Sequence, residues 1–306
     1  MRAFTLESFD APPGLRDDLA TPAPREREVL VRVQASSVNG VDVAIAGGVL
    51  MEMVEYEFPV MLGRDFAGTV EQVGESAGRH DVGDEVFGWV LHANPTVHEG
   101  SWAEQITLPE DFVAGKPRSL DMAHAGAAPL AALTAIAAFD ALAPAKGETV
   151  LVIGAAGGVG SFFVQLAASA GAHVVAPAFA EDSDYLRELG AAEILDRNTD
   201  LETTLRERRP EGVPAILDLV SYTSQGSLLE EGGRLASPLG AAGEGPGRFN
   251  LMTQSTPEAL QRLAELLQAE TLRVPIQRSY ELAQAGEALE AFAAAHTQGK
   301  LGISLG

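Results

Sequence analysis

The segment that most constrains the fold is Val150–Gly160, whose sequence VLVIGAAGGVG joins an apolar run to an amphipathic stretch that ends at Gly171. An apolar run of this kind is typical of a strand that is buried on both faces of a parallel sheet. Glycines between such a strand and a helix let backbone amides approach a pyrophosphate, which the positive end of the helix stabilises. We therefore predict a dinucleotide-binding turn. A tight turn in an α/β domain that binds no nucleotide is the alternative.

This turn departs from the usual GxGxxG pattern, because Ala155 stands at the first of its three glycine positions. Gly157 and Gly158 would admit the pyrophosphate, and Gly160 would let the helix pack closely on the strand. The residues of the turn that we assign to cofactor binding are Gly154, Ala155, Gly157, Gly158, Val159 and Gly160.

Helical and strand-like segments alternate after the turn, which implies right-handed βαβ units and a doubly wound parallel sheet. By contrast, residues 1–115 hold short segments with a period of two, such as Val29–Ala35, between glycine and acidic residues. This pattern predicts a small β-barrel or sandwich. A period-two segment returns at Leu301–Leu305. We predict an α/β chain with a first domain at 1–118, a second at 119–268 and a return to the first at 269–306.

Composition narrows the function further. The chain of 306 residues has no cysteine, which excludes a disulfide framework, a cysteine-ligated metal and a cysteine nucleophile. Its 21 basic and 43 acidic residues give a formal charge of −22, and such a field repels nucleic acid and anionic membranes. We see neither a targeting segment nor an apolar run long enough to span a membrane. We therefore expect a cytoplasmic protein without nucleic-acid or membrane partners.

The end of the second strand bears on which dinucleotide is bound. Ala178 stands about 20 residues after the turn, where an NAD-specific site has an acidic residue for the ribose 2′-hydroxyl. This favours NADP(H). Acidic residues follow at Glu181 and Asp182, however, and the nearest basic residues are Arg187 and Arg197. NAD(H) therefore stays open.

At this point the sequence resembles a known family along nearly its whole length. The anchors are SSVNGVDVAIAGG (36–48), PVMLGRDFAGTVEQVG (59–74), VGDEVFG (82–88), GSWAEQITL (100–108), AAPLAALTA (127–135) and GAAGGVGSFFVQLA (154–167). Together they resemble the medium-chain dehydrogenases/reductases, in the zinc-free quinone oxidoreductase (zeta-crystallin-like) branch. The resemblance implies a GroES-like β-rich catalytic domain that a Rossmann domain interrupts, and a homodimer.

The same resemblance addresses metal binding. Zinc-dependent relatives take a cysteine ligand from the segment that matches Val38–Asp42 and a histidine from the position of Arg64. Here Asn39–Gly40 and Arg64 occupy those places, so the resemblance implies no zinc. His92 and His98 lie six apart beside Glu99, but they fall outside the family's ligand positions. We interpret them as a solvated loop pair and predict no metal.

A nicotinamide enzyme without a Lewis acid is suited to particular acceptors. Reduction of an ordinary aldehyde places charge on an alkoxide, which zinc stabilises. A quinone or conjugated carbonyl delocalises that charge and needs less help. We therefore expect a small, hydrophobic, electrophilic substrate and hydride transfer to a quinone or enone, with hydrogen-bond donors that polarise the carbonyl.

The resemblance also suggests residues near the nicotinamide, each with a structural alternative. Asn39 matches a position beside the nicotinamide or holds a turn. Asp42 matches the family's Asn-x-x-Asp or begins a helix. Thr134 matches a family threonine or bonds its own helix backbone. Val220, Gly240 and Ala241 follow late Rossmann strands, where the family lines the nicotinamide side or where the chain simply turns.

Two further positions differ from the family pattern. Tyr56 is the nearby candidate for a proton donor, since the family's earlier tyrosine is missing. Arg197 aligns with a family tyrosine beside the 2′-phosphate, and we hypothesise that it supplies the phosphate clamp. The alternatives to a quinone reductase are an enoyl or alkenal double-bond reductase and a regulatory protein that binds NADPH without turnover.

Overall fold

The computed structural model describes residues 1–90, 100–294 and 296–306. The chain divides into two compact units. The first comprises Met1–Leu130, Gln254–Glu270 and Val274–Gly306, and the second comprises Ala131–Thr253 and Thr271–Arg273.

The first unit is rich in strands. These are β1 (Ala3–Leu6), β2 (Gly14–Arg16), β3 (Glu28–Val38), β4 (Val60–Met61), β5 (Asp65–Val73), β6 (Glu85–Trp89), β7 (Gln105–Pro109) and β8 (Val113–Gly115), with β15 (Ile276–Glu281) and β16 (Lys300–Ser304) from the C-terminal part of the chain. Its helices are α1 (Gly40–Ala46), α2 (Met122–Ala127), α7 (Pro257–Gln268) and α8 (Ala285–Ala294).

The strands of the first unit form two sheets. The larger runs in the order β15-β16-β3-β5-β6-β8, with β7 also paired to β3, and the smaller runs β2-β1-β4. Strand β16 pairs antiparallel with β3, so that Leu301 faces Val38. The C-terminal segment therefore completes the sheet that the first residues begin, as the returning period-two pattern predicts.

The core of the first unit follows from the alternation along these strands. Apolar side chains of β3 and β5 meet large aromatic side chains, and Phe66 and Trp102 are fully buried. The rings of Phe4 and Trp102 pack edge to face with centroids 6.0 Å apart. Both tryptophans of the chain, Trp89 and Trp102, are fully buried in the first unit, and Trp102 belongs to this core.

The second unit holds the parallel sheet. Its strands are β9 (Thr149–Ile153), β10 (His173–Ala178), β11 (Glu193–Asp196), β12 (Val213–Asp218), β13 (Leu229–Ser237) and β14 (Arg248–Asn250), and its helices are α4 (Gly158–Ser169), α5 (Ser183–Leu189) and α6 (Leu201–Arg208). Helix α3 (Pro129–Leu142) begins at the boundary of the first unit.

The order of this sheet is β11-β10-β9-β12-β13-β14, and every pairing in it is parallel. The order reverses at β9, because β10 lies on one side of it and β12 on the other. This is the doubly wound arrangement that the alternating pattern predicts. The predicted class, an α/β chain with a β-rich part and a doubly wound parallel sheet, is confirmed.

Helices α2 and α7 lie in the predicted range 119–268, but both belong to the first unit. Helix α2 packs against β3 and β5, and α7 packs against β8. The contact of α2 is close, since a methyl group at Gly126 would lie 2.6 Å from the carbonyl oxygen of Ala35. In the described residues, no helix is long and apolar enough to cross a membrane.

We predict that Phe66→Ala lowers the stability of the first unit by about 3–5 kcal/mol, because it removes a fully buried ring. Urea unfolding followed by tryptophan fluorescence measures this, since both tryptophans report on that unit. The control is Met53→Ala, whose side chain is 79% exposed. Equal midpoints for the two variants would contradict the packing described here.

Candidate functional site

The glycine-rich turn lies between β9 and α4 and has the local geometry that its sequence requires. Gly154 follows the strand with φ of +87°, a conformation that disfavours side chains. A methyl group at Gly160 would lie 2.3 Å from the Gly154 carbonyl oxygen, so this position packs too closely for any larger residue. Ala155 is fully buried, and its methyl group therefore sits in the core instead of facing a ligand.

The N-terminus of α4 faces open space at Gly157. A methyl group there would meet only the Gly154 carbonyl oxygen, at 3.6 Å. The helix begins at Gly158, so the backbone N–H groups of Gly158, Val159 and Gly160 have no acceptor within the helix. Such groups form a site for an anion. The turn therefore offers the donors and the room that a pyrophosphate needs.

A cavity of about 90 Å³ adjoins the turn, with Gly154, Asp196, Arg197 and Val220 in its wall. Ala178 ends β10 and is paired with Asp196 at the end of β11. The guanidinium of Arg197 stacks over the ring of Phe179 at 4.8 Å. The cavity thus brings one carboxylate and one guanidinium to the carboxyl edge of the sheet.

Asp196 was not among the predicted site residues. A signal for it existed, because ligands of doubly wound sheets bind at the carboxyl ends of the strands, and Asp196 is the last residue of one. Its Oδ1 accepts hydrogen bonds from the backbone N–H of Asn198 at 2.9 Å and from the Asn198 side chain at 3.0 Å.

The other predicted residues of the second unit occupy loops at the ends of later strands. The loop after β12 is held by Asp218, a buried carboxylate that accepts from the backbone N–H of Val220 at 3.1 Å and of Ser221 at 3.0 Å. This leaves the Val220 side chain 46% exposed. Gly240 has φ of +77°, and Ala241 beside it is buried.

Thr134 lies in α3 and its hydroxyl is 2.6 Å from the hydroxyl of Thr253. Thr134 is buried. The interaction joins the first part of α3 to the segment that follows β14. The roles predicted for Thr134, Val220, Gly240 and Ala241 stay predictions.

The first unit contains a buried cluster of charged and polar side chains around Asp65, at the start of β5. Its carboxylate accepts hydrogen bonds from the Ser37 hydroxyl at 2.6 Å and the Asn39 side-chain amide at 2.8 Å. The backbone N–H of Leu130 donates to its other oxygen at 2.7 Å. The ammonium of Lys300 lies 3.4 Å away. Four donors therefore surround one fully buried carboxylate.

Asp42 belongs to the same cluster. It lies in the first turn of α1 and accepts from the backbone N–H of Asn39 at 2.8 Å. Burial raises the pKa of Asp42 to about 7, and the nearby charge of Arg64 offsets part of this effect. Burial likewise lowers the pKa of Lys300, against the attraction of Asp65 and Asp42. The cluster thus balances two carboxylates with the cations of Arg64 and Lys300.

Tyr56 sits in an aromatic group. Its hydroxyl donates to the carbonyl oxygen of Ile45 at 3.3 Å, and its ring centroid is 4.9 Å from that of Phe9 and 5.9 Å from that of Phe58. Burial raises the pKa of its hydroxyl. Its role as a proton donor stays a prediction.

Sequence reasoning missed Asp65 and Lys300, although Asp65 lies in one of the family anchors. A lone lysine at the start of a short strand carries no signal, because its partners lie more than two hundred residues away in the chain.

At the positions where zinc-dependent relatives have ligands, the structure places Asn39 and the fully buried Arg64. In the described part of the chain, no three histidine or acidic side chains come together as a metal would require. His92, His98 and Glu99 lie outside the described residues.

Comparison with known proteins gives the family. The profile of the alcohol dehydrogenase GroES-like domain matches residues 25–118, and that of the zinc-binding dehydrogenases matches residues 189–301. The quinone oxidoreductase of Lama guanicoe is 31% identical over 95% of this chain and 93% of that protein. The chloroplastic NADPH-dependent alkenal/one oxidoreductase of Arabidopsis thaliana is 30% identical over 81% of this chain and 64% of that protein.

A solved structure, the quinone oxidoreductase from Coxiella burnetii, superposes with a TM-score of 0.89 at 28% identity and covers 100% of this chain and 99% of its own. The chain spans about half the length of other curated relatives, such as 56% of a quinone-oxidoreductase homolog from chloroplasts of Spinacia oleracea. The structural likeness agrees with the fold described above. The chain belongs to the medium-chain dehydrogenase/reductase superfamily of oxidoreductases, among the quinone oxidoreductases.

Proposed function

We propose that this protein is a zinc-independent reductase that uses NADP(H) to reduce quinones or conjugated carbonyl compounds. The observation that carries the proposal is the turn between β9 and α4, whose glycines leave the first N–H groups of α4 open to an anion, beside a cavity. The names of the relatives, which include quinone and alkenal oxidoreductases, support the same class of acceptor.

The residues present fit a dinucleotide. Bound nicotinamide would supply a hydride, so that one acceptor, one reduced dinucleotide and one proton give the two-electron-reduced acceptor and the oxidised dinucleotide. The chain's own contribution is to hold the pyrophosphate at the first N–H groups of α4 and to place hydrogen-bond donors near the acceptor's oxygen. Asn39 is the donor that we assign to this task, and water delivers the proton.

The preference for NADP(H) rests on two residues. Ala178 leaves no carboxylate at the end of β10, where an acidic side chain would favour the unphosphorylated ribose. Arg197, held over Phe179, is the cation at this edge that we assign to the 2′-phosphate. Asp196 in the same cavity opposes the phosphate charge, which leaves NADH as a weaker alternative.

A second candidate is an alkenal or enone reductase. The Arabidopsis relative named for that activity favours it. Both reactions deliver hydride to a conjugated system, so the acceptor alone distinguishes them.

An acceptor panel tests the proposed function. We expect the purified chain to oxidise NADPH, followed at 340 nm, with 1,4-benzoquinone and 9,10-phenanthrenequinone. Turnover with an enone and none with the quinones would favour the double-bond reductase. Reactions without protein correct for direct reduction, and an unconjugated aldehyde is the negative control. Binding of NADPH without turnover of any acceptor would contradict the reductase and favour a regulatory role.

We predict that Arg197→Ala raises the Kd of NADPH about tenfold or more and leaves the Kd of NADH nearly unchanged, because it removes a charge-assisted hydrogen bond to the 2′-phosphate. Titration by the fluorescence of the bound dihydronicotinamide measures both constants. Arg187→Ala, which removes an exposed arginine of the same unit, is the matched control. An unchanged ratio of the two constants in Arg197→Ala would refute the clamp.

We predict opposite effects for two substitutions in the turn. Gly160→Ala forces a methyl group against the Gly154 carbonyl and lowers stability by about 1–3 kcal/mol. Gly157→Ala meets nothing closer than 3.6 Å, so stability stays the same while nucleotide binding weakens several-fold. Thermal unfolding by circular dichroism and nucleotide titration separate the two effects. Full nucleotide affinity in Gly157→Ala would count against a pyrophosphate at this turn.

A further inference from the structure

Lys300 begins β16 and is the buried cation of the cluster in the first unit. Only 2% of its side chain is exposed. Its ammonium donates to the Val38 carbonyl at 3.1 Å, to the side-chain oxygen of Asn39 at 2.5 Å, and points toward Asp65 at 3.4 Å. A lysine ammonium has three donors. All three are therefore directed at groups on β3, on the residue that caps α1 and on β5, and none is left for a ligand.

The consequence falls on the side-chain amide of Asn39. Its oxygen accepts from Lys300, and its nitrogen donates to Asp65 at 2.8 Å. If the amide turned over, its NH₂ group would face the ammonium and its oxygen would face the carboxylate. Both contacts would then be repulsive, so the pair Lys300 and Asp65 permits one orientation of this amide.

In that orientation one N–H of the Asn39 amide is left over. The nitrogen carries two donors, and Asp65 uses one of them. No described residue accepts a hydrogen bond from the second N–H. Asn39 is only 7% exposed, and its side-chain oxygen already accepts from Lys300. A fixed donor without a partner in the protein is what a carbonyl needs when negative charge develops on its oxygen.

We propose that Lys300 is a positioning residue of the reductase, which fixes the Asn39 amide so that its second N–H donates to the carbonyl oxygen of the acceptor. The inference rests on the proposed function. The charges that surround the amide are Lys300, Arg64, Asp65 and Asp42. Of these four, Lys300 and Asp65 contact the amide directly, so a hydrogen bond at each end holds it.

A double-mutant cycle tests the inference. We expect Lys300→Met to lower kcat about 10- to 100-fold with little change in the Kd of NADPH, the range found when a supporting residue of a site is removed. Asn39→Ala should lower kcat by a similar factor. In the Asn39→Ala background, Lys300→Met should have no further effect, because Lys300 acts through Asn39. Effects that multiply would overturn the proposal, as would an unchanged kcat in Lys300→Met.

The matched control is Lys116→Met. Lys116 is a second nearly buried lysine of the first unit, with a side chain 6% exposed, and it pairs with Glu85 at 3.2 Å. Its ammonium also donates to the carbonyl of Leu120. It takes no part in the Asn39 cluster, so kcat should be unchanged. A loss of kcat equal to that of Lys300→Met would assign the effect to buried lysines in general and overturn the proposal.

A double variant separates an effect of Lys300→Met on folding from an effect on kcat. Lys300→Met leaves the Asp65 carboxylate buried without its cation, whereas Lys300→Met combined with Asp65→Asn removes both charges. We expect the double variant to recover the unfolding midpoint while kcat stays low. Recovery of kcat together with stability would show that Lys300 serves folding alone and would overturn the proposal.

A crystal structure of the Lys300→Met variant gives a readout that is independent of activity. We expect the Asn39 amide to leave the orientation in which it donates to Asp65. An unchanged amide would overturn the proposal. If the wild-type chain reduces no acceptor, the reductase function falls and the inference falls with it. If the wild type is active and Lys300→Met is equally active, the inference alone falls.

Discussion

A buried carboxylate must find donors inside the protein, because water no longer stabilises its charge. Asp65 meets this requirement with donors from β3, the residue that caps α1, β16 and the start of α3. These segments lie far apart in the chain, and each contributes one group. The packing of these segments around the start of α1 therefore depends on the side chain of Asp65. Removal of any one donor would leave the buried carboxylate with fewer partners to stabilise its charge.

The second unit is organised by a steric constraint. Helix α4 approaches β9 so closely that Gly160 has no room for a methyl group, and Gly154 turns the chain with a positive φ. The same two features aim the first N–H groups of the helix outward beyond the strand end. The arrangement that lets the helix pack on the strand therefore also leaves these N–H groups open to an anion, which explains why a turn of this kind is recognisable in a sequence.

The fold and part of the site could be predicted from the sequence because their signals are local. Each signal spans no more than about a dozen residues. The signals are the alternation of apolar and polar residues along β3, the apolar run of β9 and the glycines that follow it. The buried cluster could not be predicted in this way. Lys300 and Asp65 are 235 residues apart, and neither neighbourhood indicates that the other exists.

The position of Asp196 was predictable in principle but was missed. The prediction named Ala178 at the end of the second strand and Arg197 just after the adjacent one, and it passed over the carboxylate of Asp196, which ends that adjacent strand. Parallel pairing sets Ala178 and Asp196 side by side, so the two strand ends contribute to one cavity. Helices α2 and α7 lie within the predicted range 119–268 but pack in the first unit, because helices that follow one another in sequence need not pack on the same sheet.

The pairing of β16 with β3 has a consequence for the order of folding. The second unit is built almost entirely from one continuous stretch, Ala131–Thr253, whose βαβ units join neighbours in the chain. The first unit must wait for strands synthesised after that stretch, and closing so long a loop is entropically costly. Until β16 arrives, Asp65 lacks its cation. We therefore expect the parallel sheet of the second unit to form early during synthesis. The first unit would remain incompletely folded near α1 until β16 pairs with β3.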